Sequence, residues 1–196
     1  MTWFQKLQKR GFDIFASLGG LIVLWPVILI TWWIARRDTH STGFFKQERM
    51  GRNAKPFKVV KLRTMRAGEQ GGTITAKNDA RITPWGAFFR QWKLDELPQL
   101  WNVLKGEMSF VGPRPDVPGY LDQLTGSDKV LWALRPGITG PASLKYKDEE
   151  EILANVENTK VYNDTVIWPD KVKINIAYLD DWSLIQDINF ILKTIR

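Results

Sequence analysis

Two adjacent acids, Asp95 and Glu96, lie in the run Lys93-Leu94-Asp95-Glu96-Leu97-Pro98. Taken alone they have an ordinary explanation: the aspartate caps a helix and the glutamate favours the positive end of its dipole. Their company changes the reading. Gly112-Pro113-Arg114-Pro115 fixes a guanidinium on a stiff turn, and a second arginine, Arg135, is held before Pro136. Arginine suits planar, bidentate contact with phosphate. An acid pair with two held arginines points to a phosphorylated substrate. The single histidine, His40, lies in a polar stretch with no partner for chemistry. Asp148 to Glu151 reads as a solvated first turn of a helix rather than a metal site.

Composition limits the classes of partner. At 196 residues the chain is long enough for one domain with a real core. Lys and Arg outnumber Asp and Glu by 28 to 21, a net charge of +7, so anionic partners are favoured: nucleic acid, membrane headgroups or phosphorylated metabolites. No recognition helix or aromatic RNA motif supports nucleic acid. The absence of cysteine excludes disulfides, thiolate catalysis and sulfur-based zinc sites. Ten tryptophans are many for this length, and such rings gather where an apolar body meets a polar rim.

The elements that must position these residues begin with an apolar anchor. Ile14 to Ile34 is 21 residues without a charge, roughly 31 Å as a helix, the thickness of a bilayer's hydrocarbon core. Pro26 sits near its middle and calls for a bend. Lys6, Lys9 and Arg10 flank one end, Arg36 and Arg37 the other, and such flanks prefer the cytoplasmic side. If both ends obey, the segment enters, bends near Pro26 and returns to the same face. Asp13, at the entry, needs a partner such as Arg10 or a headgroup-level position.

Beyond the anchor, residues 36–56 read as a polar stretch, and Lys58 to Arg63 as a strand. Ala67 to Lys77 reads as a glycine-rich loop. Thr83-Pro84 starts a short amphipathic helix with Phe88, Phe89 and Trp92 on one side, lying partly at an interface and partly on the core. A second helix is expected from Asp95 to Leu104, stopped by Gly106, with Leu97, Leu100, Trp101 and Leu104 as its buried stripe. Gly112 to Gly119 cannot be helical, and Arg135 to Pro141 is a second rigid element. Lys147 to Asn155 and Ser183 to Ile195 read as helices, the latter with Leu184, Ile188, Ile191, Leu192 and Ile195 on one face.

At these residues the chain resembles the small monotopic phosphoglycosyl transferases, the bacterial sugar transferase family. The resemblance covers Lys9-Arg10 with Phe12-Asp13, the Pro-bent anchor, Phe45 to Arg49, Phe57 to Met65 and Asp79 to Thr83. It continues through Leu94 to Leu100, Asn102 to Ser109, Val111 to Pro115, Arg135 to Gly140 and Ser183-Leu184. It implies a mixed α/β, mostly helical monotopic membrane protein. Residues 1–37 would be a re-entrant, Pro-kinked helix hairpin; residues 38–196 would be a small irregular catalytic domain with amphipathic interfacial helices, on the cytoplasmic face of a bacterial inner membrane. The implied reaction moves a sugar 1-phosphate from a nucleotide diphosphate sugar, by resemblance a UDP sugar, to polyprenyl (undecaprenyl) phosphate. Nucleoside monophosphate is released, in the first membrane step of glycoconjugate assembly.

The resemblance further implies an Asp-Glu dyad and Mg²⁺. Carried over, Asp95 is the nucleophile that forms a covalent phosphosugar intermediate, and Glu96 binds Mg²⁺ or orients the site. Lys61, Arg63, Arg114 and Arg135 are the expected phosphate contacts, each with a structural ion pair as the alternative. Two departures stand out. Many members have Ser before the anchor proline, where this chain has Trp25. Asn175 stands where many have an acid in a Tyr-Asp-x-x-Tyr-like stretch, and an insert from Glu149 to Trp168 precedes it. The competing reading is a non-enzymatic protein whose basic patches bind anionic lipid.

Overall fold

The computed structural model describes residues 1–66 and 79–195. The glycine-rich loop expected from Ala67 to Lys77 lies outside them. The chain is mostly helical, with two small two-stranded sheets.

Helix α1 (Trp3–Thr39) is 37 residues long, about 55 Å. Thr2 opens it with a reciprocal cap: its hydroxyl accepts from the Gln5 amide at 3.2 Å, and the Gln5 side chain accepts from the Thr2 amide at 2.7 Å. Arg36 and Arg37 occupy the last turn, and His40 ends the helix in a left-handed conformation. A re-entrant hairpin bent at Pro26 was expected over residues 1–37; these residues belong to one helical element with Pro26 inside it, which ends two residues beyond position 37.

The patterning of α1 is inverted relative to a soluble helix. Its buried residues are Lys9, Asp13, Ser17, Thr31, Ala35 and Thr39, whereas Phe15, Ile22, Val23, Trp25, Ile30 and Trp33 are exposed. A soluble helix buries its apolar stripe. This is the one helix among the described residues long and apolar enough to cross a membrane, and only 11% of its apolar window is buried.

Both ends of α1 rest on the same body of protein. Near the start, the Lys9 ammonium meets the Asp187 carboxylate at 2.5 Å, and Asp13 accepts from the Ser109 hydroxyl and the Phe110 amide. Asp13 thus finds its partners in the protein. Arg10, one of the two alternatives expected for it, bonds to the Val103 and Leu104 carbonyls and reaches Asp13 only through its charge. Near the end, Ala35 packs with Leu62 and Phe89.

Strands β1 (Phe44–Met50) and β2 (Pro56–Leu62) form an antiparallel hairpin, paired from Phe44 with Leu62 to Met50 with Pro56. The stretch 36–56, expected to be polar connection, therefore holds the end of α1 and a full strand. Polar side chains there line an exposed hairpin face, which masks the strand periodicity. Helix α2 (Pro84–Gln91) starts as expected, the Thr83 hydroxyl accepting from the Gly86 amide. Phe89 is buried, while Trp85, Phe88 and Trp92 are exposed.

Helix α3 (Gln99–Lys105) begins four residues later than expected, and a separate 3₁₀ turn holds Leu94–Glu96. Its buried residues are Gln99, Leu100, Asn102 and Val103, and Trp101 is exposed. The late start rotates the expected stripe, and packing against α1 on one side and β2 on another buries polar Asn102 as well. Gly106 closes α3 at φ 85°, a conformation that favours glycine.

Strands β3 (Ser109–Val111) and β4 (Gly137–Thr139) pair in parallel. Among the described residues, five α-helices follow: α4 (Pro141–Lys145), α5 (Glu149–Ala154), α6 (Thr159–Tyr162), α7 (Trp168–Asp180) and α8 (Leu184–Ile195). The largest core cluster joins Val111, Leu131, Val172, Tyr178, Leu179 and Trp182, with Leu184, Phe190 and Ile191 of α8 packed on it. Ile188 and Leu192, expected on that face, are exposed.

Candidate active site

The site is built on β2, α2, the Leu94–Glu96 turn and the loop after β3. Asn102 sets its frame. This buried side chain accepts from the Val60 amide at 3.0 Å and donates to the Lys58 carbonyl at 2.8 Å, so it occupies the edge of β2 that β1 leaves open. Such bonds repay the burial of a polar amide. They also set the register of β2 against α3, and with it the meeting of Lys61 and Glu96 at 2.9 Å.

The acid pair itself is not a helix cap. Neither the 3₁₀ turn nor α3 has a side-chain cap, and Pro98 holds the cap position of α3. Asp95 is 9% exposed, and its Oδ1 is buried without a hydrogen-bond partner among the described residues. Leaving a carboxylate oxygen so costs stability unless something else uses it. Just before the turn, Lys93 takes φ 55°, a left-handed conformation uncommon for a side chain with a Cβ.

The two carboxyls are held in different states. Burial pushes Asp95 up to about 6 and the Glu96 charge adds to it, while Lys61, Arg90 and Lys93 pull the other way. Burial acts on Glu96 too, but Lys61 at bonding distance, helped by Arg114 and Lys93, brings it below the ordinary carboxylate value. One acid is poised near neutrality and its neighbour stays ionised.

Arg114 stands at the edge of this cluster. It is exposed, makes no hydrogen bond or ion pair among the described residues, and its charge reaches Glu96 and Asp116. Backbone packing fixes its turn. The Gly112 amide donates to the Thr139 carbonyl at 2.9 Å and the Gly137 amide to the Pro113 carbonyl at 2.7 Å. A Cβ on Gly112 would lie 2.3 Å from the Arg135 carbonyl, and one on Gly140 would lie 2.2 Å from the Gly112 carbonyl. Only glycines allow the two rigid segments to cross so closely.

The other expected residues fall elsewhere. Arg63, just past the end of β2, donates to the Thr42 carbonyl at 2.9 Å and lies over the Phe45 ring. Arg135 donates through Nε to the Gly106 carbonyl at 2.8 Å, at the far end of α3 from the acid pair. Pro26 lies in α1. Asn175 is buried in α7, its Oδ1 without a partner among the described residues.

Two further cations act on the pair, Arg90 and Lys93, and a buried acid, Asp116, lies beyond Arg114; none was among the site residues expected from the sequence. Arg90 is aimed by a 2.9 Å bond from its Nε to the Thr64 hydroxyl, and Lys93 precedes the turn. Asp116 is pushed up to about 6 by burial, against Lys171, Arg114 and Arg49. Its position two residues after Arg114 in an extended segment was the available signal. The insert packs beside this loop: the Tyr120 hydroxyl donates to Asp164 at 3.0 Å and its ring meets Trp168, while Lys171 bonds Glu149.

A metal ion can be considered against these groups. Asp95 Oδ1 is unpartnered, and Lys61 engages only Oε1 of Glu96. No group of three or more His, Cys, Asp or Glu side chains suited to a metal occurs among the described residues. Mg²⁺ ordinarily takes one or two carboxylates and completes its shell with water and substrate phosphates, so the pair fits such an ion.

A family profile described as bacterial sugar transferase matches residues 4–196. The chain is 37% identical over 200 residues to the exopolysaccharide production protein PSS of Rhizobium leguminosarum bv. phaseoli, covering 95% of this chain and 92% of that protein. It is 34% identical over 190 residues to the "uncharacterized sugar transferase EpsL" of Bacillus subtilis (strain 168), covering 97% and 86%. It is also 31% identical over 195 residues to the UDP-glucose:undecaprenyl-phosphate glucose-1-phosphate transferase of Caulobacter vibrioides, covering 96% and 68%.

Proposed function

The chain belongs to the bacterial sugar transferase family, and we propose that it transfers a sugar 1-phosphate from a nucleotide diphosphate sugar to a polyprenyl phosphate. UDP is the favoured nucleotide and undecaprenyl phosphate the favoured acceptor, as the name of the Caulobacter relative has them. The product would begin assembly of a glycoconjugate such as O-antigen, capsule, exopolysaccharide or glycoprotein.

The observation that carries this reading is the buried carboxyl of Asp95, its Oδ1 without a hydrogen-bond partner among the described residues, beside the Lys61–Glu96 ion pair. An Asp95 oxygen attacks the sugar-bearing phosphorus, the bond to the bridging oxygen of the diphosphate breaks, and nucleoside monophosphate leaves. A phosphate oxygen of the lipid then attacks the same phosphorus and returns the Asp95 carboxylate. Lys61, Arg90, Lys93 and Arg114 disperse charge on the transferring group. Glu96 would hold Mg²⁺ together with donor phosphates, and the ion supplies further charge neutralisation there. A lipid-binding protein without activity has no use for a buried carboxyl poised near neutrality.

The reading places the site on the cytoplasmic face of a bacterial inner membrane, with α1 as a re-entrant anchor. Its support is the inverted patterning of α1 and the docking of both its ends on one domain. A straight span would deliver its ends to opposite sides. Residues 38–196 then form the catalytic unit, with Trp85 and Phe88 of α2 and Trp92 at its end facing the interface.

The deciding experiment incubates purified protein with a UDP sugar and Mg²⁺, omitting the lipid acceptor, and looks for a phosphosugar adduct by mass spectrometry. The adduct is expected on Asp95 and lost when undecaprenyl phosphate is added. UMP release that persists at the wild-type rate in Asp95→Asn would sink the nucleophile assignment.

A further inference from the structure

At the far end of α3 from the acid pair, a second group of cations surrounds a small cleft. It lies between the first turns of α1, the Arg52–Ala54 turn after β1, and the segment leading into β4. Lys6, Lys9, Arg52 and Arg135 line it together with Ser109, and no acid among the described residues does.

Local carboxylates neutralise these charges only in part: Lys9 pairs with Asp187, and Asp13 acts on Arg135 from a distance without bonding to it. Asp187 is fully engaged by Lys9, Tyr178 and Trp182. Asp13 accepts from Ser109 and Phe110 on one oxygen, and its other oxygen is buried without a partner. Lys6 and Arg52 make no side-chain hydrogen bond or ion pair among the described residues, and both are exposed. Arg135 is half-buried and commits only Nε, to the Gly106 carbonyl, leaving both terminal nitrogens for a ligand. Burial, followed by the neighbouring Arg52 and Arg10, brings its guanidinium below the usual arginine value, against the opposing charge of Asp13. Like charges held this close repel.

Helix capping explains part of the arrangement and leaves the rest. Arg10 already covers two carbonyls at the end of α3, those of Val103 and Leu104, and Arg135 covers a third. Neither Lys6 nor Arg52 serves that purpose. The cavity, about 40 Å³, has room for about three waters, which is the size of one phosphate group.

We infer that the cleft formed by Lys6, Arg52 and Arg135 is a second anion site, holding one phosphate group apart from the reacting one. Seven-residue α3 stands between this cleft and the acid pair, a separation of about 10 Å along its axis. The fork of Arg135 makes the directional contact, and Lys6 and Arg52 close over it as charges. Trp3, Phe4 and Leu7 flank Lys6 on α1 and are 76%, 60% and 54% exposed, so a lipid headgroup is one source of the phosphate. A soluble phosphate compound is the other. The inference does not depend on the transfer reaction.

Thermal unfolding of the full chain in uncharged detergent tests it in two arms. One arm titrates inorganic phosphate against sodium chloride at matched ionic strength. The other titrates phosphatidylglycerol against phosphatidylcholine in mixed micelles. The expected result is a saturable rise in midpoint in at least one arm. The apparent affinity should weaken at least tenfold in a Lys6→Ala/Arg52→Ala double variant and persist in Arg114→Ala. A rise in the lipid arm alone identifies a headgroup as the source, and a rise with inorganic phosphate shows that the phosphate group suffices. No saturable rise in either arm overturns the site, as does a rise that the double variant keeps in full. Since Lys6 and Arg52 are exposed and unbonded, far-UV circular dichroism of the double variant should match the wild type.

Discussion

The Lys61 ammonium lies 2.9 Å from Glu96 Oε1, although 35 residues separate the two in the chain. The same ammonium also lowers the pKa of Asp95, without bonding to it. One lysine therefore keeps Glu96 ionised and moderates the proton affinity of its neighbour.

Removing that charge raises the pKa of both carboxyls. Activity that needs ionised Asp95 should rise with pH through a limb near 6 in the wild type. In Lys61→Met the limb should move to higher pH, and in Lys61→Arg it should lie between the two. The logarithm of kcat/KM against pH checks this, and an unmoved limb in Lys61→Met would remove Lys61 from the control of Asp95.

Asp95 should be a stability cost. Its carboxyl moves from 3.8 to about 6 on folding, so the native state holds its proton longer than the unfolded state and stability declines as pH rises through that window. The ionised form is disfavoured by about 3 kcal/mol above the window. Asp95→Asn should therefore melt higher than the wild type at pH 7.5 while losing turnover, and the gain should shrink towards pH 4. Thermal unfolding in detergent at the two pH values decides the matter.

Arg114 should act on substrate and leave the fold alone, because it is exposed and unbonded. A charge-assisted hydrogen bond contributes about 1.5–3 kcal/mol, so Arg114→Ala should lower kcat/KM for the nucleotide sugar by about ten- to a hundredfold. Arg114→Lys should recover part of this, since it restores charge without the planar fork. An unchanged melting temperature beside the kinetic loss separates this role from a structural one.

The anchor can be tested with single cysteines, because the chain has none of its own. Thr2→Cys and His40→Cys bracket α1. A membrane-impermeant maleimide applied to vesicles of known orientation should label both from the cytoplasmic side. Labelling from opposite sides would require a spanning helix.

Several elements are legible in the residues alone because their signals are local. Thr83-Pro84 announces the start of α2, and the prolines from Pro113 to Pro118 bar a helix there. The charge-free run around Pro26 marks an apolar segment whatever the rest of the chain does. These features follow from backbone geometry and hydrophobicity within a few residues. The residue types of the site, an acid pair with arginines held by prolines, were legible for the same reason.

Their arrangement was not. Lys61 lies in β2 and Arg63 just past its end, yet only Lys61 meets Glu96, because Asn102 sets the register of β2 against α3. Arg114 and Arg135 both precede a proline, yet the crossing at Gly112 and Gly137 sends them to opposite ends of α3. Asp95 and Glu96 are side by side in sequence, and only burial of the one and pairing of the other give them different proton affinities. Residue identity supplies the charges, but their distances and solvation depend on packing between distant segments, which tertiary structure alone decides.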